Sequence, residues 1–572
     1  MELHILSGER KGYCGSWFSE LSVVEIKKAS AAPRECVSTV VCYLKWKGYC
    51  GSWFSELSVV EIKKASAAPR ECVSTVVCYL KWKGYCGSWF SELSVVEIKK
   101  ASAAPRECVS TVVCYLKWKG YCGSWFSELS VVEIKKASAA PRECVSTVVC
   151  YLKWKGYCGS WFSELSVVEI KKASAAPREC VSTVVCYLKW KGYCGSWFSE
   201  LSVVEIKKAS AAPRECVSTV VCYLKWKGYC GSWFSELSVV EIKKASAAPR
   251  ECVSTVVCYL KWKGYCGSWF SELSVVEIKK ASAAPRECVS TVVCYLKWKG
   301  YCGSWFSELS VVEIKKASAA PRECVSTVVC YLKWKGYCGS WFSELSVVEI
   351  KKASAAPREC VSTVVCYLKW KGYCGSWFSE LSVVEIKKAS AAPRECVSTV
   401  VCYLKWKGYC GSWFSELSVV EIKKASAAPR ECVSTVVCYL KWKGYCGSWF
   451  SELSVVEIKK ASAAPRECVS TVVCYLKWKG YCGSWFSELS VVEIKKASAA
   501  PRECVSTVVC YLKWKGYCGS WFSELRRGGD QEGVRGSERC GNRILKAFAN
   551  SLDPDETPQN VASHQDPNCL LF

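Results

Sequence analysis

Histidine and methionine are almost missing: the 572 residues hold two of the first and one of the second. Most of the chain also lacks aspartate, asparagine and glutamine, because one short unit without them is repeated along it. An active site needs a proton carrier of suitable pKa beside its nucleophile. Only Glu, Lys, Tyr and Cys are on offer in the repeats, and His4 and His564 stand in opposite flanks. The chain is therefore not expected to be an enzyme, and no catalytic residue or cofactor is assigned. Long apolar runs are missing as well. The longest uncharged run of the unit, residues 36–44, has nine residues, against the ~20 that cross a bilayer as a helix, so no transmembrane segment is expected. The opening MELHILSGERK carries Glu2 and lacks the basic and apolar regions of a secretory signal. Cytoplasm or nucleus is the default address.

What is present is repetition. Residues 11–46, KGYCGSWFSELSVVEIKKASAAPRECVSTVVCYLKW, recur without a substitution through residue 514, giving 14 copies of a 36-residue unit. Residues 515–525 begin a fifteenth copy and stop inside it, with a leader at 1–10 and a tail at 526–572. Each unit carries five cations (Lys11, Lys27, Lys28, Arg34, Lys45) and three anions (Glu20, Glu25, Glu35), so the repeats alone account for the strongly basic balance of +26.

Cysteine is abundant, 45 in all, and three fall in each unit, as at Cys14, Cys36 and Cys42. An odd number cannot pair within a unit, and a reducing compartment keeps thiols reduced. The spacings contain no C-x-x-C and no histidine, and on a helix Cys36 and Cys42 would point about 120° apart. No metal site is expected.

Two helices can be read in each unit. The second has Pro33 at a first helical position, Glu35 early, Lys45 and Lys47 late and Gly48 beyond; Val37, Val40, Val41 and Leu44 form its stripe. The first starts at Ser16 or Ser19, with Glu20 early, Lys27 and Lys28 late, a Ser22 and Glu25 capping pair and a stripe of Trp17, Leu21 and Val24. Val23 and Ile26 fall off that stripe. The expected fold is thus an all-α tandem-repeat solenoid with two short helices per unit. The period is close to that of tetratricopeptide-type repeats, whose spaced Trp, Leu-Gly and Tyr pattern is not matched here.

The alternatives are a β-solenoid, with corners near Gly48, Ser55 and Pro69, or no stable fold. CVSTVVCYLKW is rich in β-branched and aromatic residues. Against strands, identical coils ~4.8 Å apart would stack every Lys and Glu into a like-charge ladder, at roughly 0.9 kcal/mol of repulsion per pair in water; helical units ~10 Å apart would feel much less.

Solenoids usually carry polar end units, and the array is expected to lack them. Packing cannot hold all 36 positions fixed in every copy, since solvent positions such as Lys28 and Ser30 tolerate many residues. After residue 525 the chain turns polar and Gly-rich, and the tail reads as disordered. Its end, FANSLDPDETPQNVASHQDPNCLLF at residues 548–572, resembles translated dispersed repetitive elements through its SLDPDE-type and DPNCL-type strings. The resemblance covers 25 of 572 residues and implies a mobile-element-derived fragment with no fold or activity to carry over. The closing Cys569, Leu570, Leu571 and Phe572 fit the C-a-a-X pattern, making Cys569 a candidate prenylation site.

Two main readings of function follow. In the first the chain is a conceptual translation of tandem-repeat DNA joined to a dispersed element, has no selected biochemical function, and self-associates or aggregates through its Val-rich windows and thiols. In the other it is a basic repeat scaffold that binds acidic partners or nucleic acid by multivalency, with Lys27, Lys28, Lys45, Trp46 and Lys47 as candidate polyanion contacts. A third reading, a secreted adhesive protein, lacks the secretory signal it requires.

Overall fold

The computed structural model describes residues 2–526 apart from the Ser-Ala-Ala-Pro-Arg segment of each unit (30–34 and its equivalents), residues 495–497, 514 and 515, and single tryptophans at 298, 334, 370, 406, 442 and 478; in the tail it describes residues 546–549. Among the described residues there is no helix, and hence none long and apolar enough to cross a membrane. Every strand pairing is parallel, and within the array each joins a residue of one unit to the same residue of the next, as in Val256↔Val292 or Gly300↔Gly336. A strand run such as Glu215–Ala245 has 31 residues and would reach ~100 Å if straight. Yet its last residue lies six positions before the Glu251 that starts the next run, a gap the chain spans in ~21 Å at most. Each unit must therefore turn back on itself, and the fold is a parallel β-solenoid with one unit per coil.

This corrects the all-α expectation. The stripe of Val37, Val40, Val41 and Leu44 satisfies a helical period, but the residues around it are those that favour a pleated surface. In the strand, parity decides which side is buried. On the leg Glu287–Lys297, Ser290, Val292 and Cys294 are buried, while Val289 is 43% exposed. The stripe valines thus divide between the two faces.

The second leg, as in Gly300–Ala317, differs. Its stretch Leu309, Ser310, Val311, Val312, Glu313 and Ile314 is buried throughout, so both faces of this segment are covered, as in sheets packed on two sides. Ile314 and its equivalents are the largest fully buried side chains. Between the legs the chain turns at a glycine of φ near +147°, such as Gly264, whose N–H donates to the Lys299 carbonyl at 3.1 Å. This corner coincides with the Gly48 position expected for a β-solenoid. Ser55 instead sits inside a paired run, opposite Ser91, and the Pro33 and Pro69 positions lie outside the described residues.

Cys36 and Cys42 are six residues apart, an even number, so a strand puts both on one face. Their equivalents Cys252 and Cys258 are both buried, at 1% and 6% exposure. Cys258 hydrogen-bonds with Cys222 and Cys294 in the neighbouring coils, and these contacts together with burial push its thiol well above its ordinary pKa. Its neighbours Cys222 and Cys294 are shifted the other way, to about 5, by their hydrogen bonds with the adjoining thiols, so the column is one hydrogen-bonded chain of buried sulfurs.

The leader and one piece of the tail join the stack. Residues 2–10 pair in register with residues 38–46, placing Glu9 opposite Lys45. Lys546–Ala549 pairs with residues 509–512, placing Phe548 opposite Tyr511.

Candidate polyanion-binding face

On the first leg, the side chains opposite the core come from every second residue. In the central coils they are Glu287, Val289, Thr291, Val293, Tyr295, Lys297 and, past the bend, Lys299 and Tyr301. Coil-to-coil register turns each of them into a column. The tyrosines stack at 4.8 Å with rings 1° from parallel, both in the Tyr259–Tyr295 column and in the Tyr265–Tyr301 column. This spacing is that of neighbouring strands in a sheet.

Two lysine columns run beside these rings. The Lys47 column is exposed and the Lys45 column half-exposed. With two lysines per 4.8 Å rise, the face carries one positive charge per ~2.4 Å, comparable with the one negative charge per ~1.7 Å of duplex DNA. The exposed Glu35 column lies ten residues along the same leg, ~33 Å away for extended chain and well beyond a Debye length of ~8 Å at physiological salt. The lysine columns therefore keep their field. The rings offer their edges only, because each face is covered by the next tyrosine. This geometry suits charge recognition of a linear anion and leaves no gap for a base to insert.

Of the five contacts expected from the sequence, Lys45 and Lys47 fall together on this face. Lys28 belongs to the other leg, where its equivalents Lys208, Lys244 and Lys280 are exposed. The Lys27 equivalents stand on that leg too, engaged in ion pairs with glutamates. Lys315 Nζ lies 2.7 Å from Glu277 Oε1 in the preceding coil and 3.7 Å from Glu313 Oε1 in its own. The same arrangement recurs from Lys135 to Lys423. Burial alone would lower the Lys315 pKa, but its hydrogen bond and charge contact with Glu277, together with Glu313, hold it above the ordinary lysine value. The Trp46 side chain and its equivalents, like Cys569, lie outside the described residues.

These pairs explain why like-charge ladders do not break the stack. Glu25 and Lys27 are two residues apart on one side of the strand, so a positive column runs beside a negative one and each ammonium sits between two carboxylates. Repulsion along a column is offset by attraction across columns. A second carboxylate column, the Glu20 equivalents, runs half-buried beside them. Burial first, and then the neighbouring glutamates of the stack, push Glu236, Glu308 and Glu380 up to about 7.

Glutamates were not expected to line the interior, yet Glu277 and Glu313 are each 1% exposed. The available signal was parity: Val24, Ile26, Leu21 and Val23 surround Glu25 in a run with no polar alternation. Comparison with family models, with curated proteins and with solved structures found no match to this chain.

Proposed function

We propose that the chain is a basic repeat scaffold that binds linear polyanions, nucleic acid foremost, along the Lys45 and Lys47 columns. The observation that supports this reading is the pair of lysine columns repeating every 4.8 Å on one face, flanked by tyrosine stacks. Each unit contributes the same weak contact, and linkage through a rigid array converts these contacts into avidity. Thiols buried in hydrogen-bonded columns fit a reducing compartment such as cytoplasm or nucleus.

The test is binding of the reduced full-length chain to a short DNA duplex over a range of salt. The affinity is expected to fall by a factor of roughly 10³ or more between about 50 and 200 mM salt, as for six or more phosphate contacts, and to rise with copy number between two-unit and eight-unit chains. Replacing the Lys45 and Lys47 equivalents with glutamine in every copy is expected to abolish binding while leaving the fold intact. Affinity that is unchanged between two and eight units would sink the proposal.

A further inference from the structure

We propose that the paired glutamate columns of the second leg form a row of divalent-cation sites with calcium-type, all-oxygen ligation. This inference is independent of the polyanion reading, since it concerns different side chains on the other leg.

Glu272, Glu308 and Glu313 each place a carboxylate oxygen within 4.8 Å of the others, two from the half-buried column and one from the buried column; farther along the stack Glu380, Glu385 and Glu421 form a second group, with one from the half-buried column and two from the buried one. Two oxygens that share one calcium ion at ~2.4 Å stand no more than ~4.8 Å apart. The clusters therefore have the dimensions of a calcium site before any side chain moves.

A second observation points to a ligand. Glu313 is 1% exposed. Its Oε1 is engaged by Lys351 at 2.7 Å, while its Oε2 is buried without a hydrogen-bond partner. Glu385, in the other cluster, is arranged the same way, with Oε1 held by Lys423 at 2.8 Å and Oε2 buried without a partner. A buried carboxylate oxygen left in this state is costly, and a cation coordinated there removes the cost.

Charge balance sets the stoichiometry. Each coil contributes to this region one Glu of the Glu308 column, one of the Glu313 column and one Lys of the Lys315 column. The net charge is −1 per 4.8 Å of stack, so one divalent ion per two coils neutralises it. The Glu308 column is half-buried rather than sealed, so water can reach it and complete the six to eight ligands that calcium accepts. The irregular geometry suits calcium better than magnesium, which demands a near-ideal octahedron. Protons compete for the same oxygens.

The test is equilibrium dialysis of the reduced full-length chain against calcium alone, at pH 8 and pH 5, with no polyanion present. Saturable uptake approaching about one ion per two coils is expected at pH 8, and weaker uptake at pH 5, where protons compete for the carboxylates. Replacing the Glu20 equivalents with glutamine in every copy (Glu272→Gln, Glu308→Gln and the rest) keeps the Lys315–Glu277 type of pair and is expected to abolish uptake while the strand circular dichroism persists. A folded wild-type chain that takes up no calcium saturably would overturn the proposal whatever the variant does. Undiminished uptake by a folded variant would do the same.

Discussion

Replacing Gly264 with alanine is expected to destabilise the middle of the array by about 2–6 kcal/mol, the combined cost of backbone strain and of overpacking against a neighbour that cannot yield. Gly264 stands at φ +147°, a region that L side chains rarely adopt. A Cβ there would also overlap the Gly228 carbonyl oxygen of the preceding coil and lie 2.8 Å from its carbonyl carbon. The atoms in the way are backbone, so no rotamer change relieves the clash. The corner is further fixed by the Gly264 N–H bond to the Lys299 carbonyl. Stability in a repeat array is close to a sum of unit and nearest-neighbour terms, so one such defect is expected to split urea unfolding of the full-length chain into two steps. Lys263→Ala, one residue away and exposed, is expected to change stability by no more than about 0.5 kcal/mol. If the two variants unfolded alike, the corner would not be packed as described.

Acid is expected to stabilise the fold, and the glutamate column gives the sign. Glu236, Glu308 and Glu380 titrate near 7 in the folded chain, through burial and then through their stacked neighbours, against an ordinary carboxylate value of 4.5. Glu128, Glu164, Glu200 and Glu344 are raised in the same direction, with burial again the leading cause. Below the unfolded value both states hold the proton and the contribution to stability is fully present. As pH rises from about 4.5 to about 7 the unfolded chain loses its protons first, the folded chain binds more of them, and stability falls. Above about 7 both states are ionised and the loss is complete. The melting temperature should therefore decline between pH 5 and pH 7.5 and then level off. The glutamine variant of this column should melt at a temperature nearly independent of pH across that window. A melting temperature that rises from pH 5 to pH 7.5 would contradict the buried carboxylate stack.

Several features of this architecture could be read from the residues alone. The 36-residue period gives the coil length, Gly48 marks a corner, and the β-branched run CVSTVVCYLKW marks the first leg. The choice between helix and strand could not be made from Val37, Val40, Val41 and Leu44, because the same four positions satisfy a helical stripe and straddle both faces of a strand. Val23 and Ile26 carried better information: they fall off the helical stripe because their segment is buried on both sides, where no period is required. Like-charge ladders disfavour strands only when each column stands alone; here the Glu25 and Lys27 columns lie side by side and interleave, as Lys315 does between Glu277 and Glu313. Lys45 and Lys47 were legible as a basic pair next to a turn. Their alignment into columns was not, because it depends on coil-to-coil register, which only the folded chain reveals.

The central claim is that each unit adds one coil to an in-register parallel stack. Small-angle scattering from reduced, monomeric chains of four, eight and fourteen units measures this directly as growth in length per added unit. An increment of ~4.8 Å per unit is expected, the rise between neighbouring strands. An increment near 10 Å per unit, the spacing of packed helices, or a chain whose dimensions scale as those of an unfolded polymer, would contradict it.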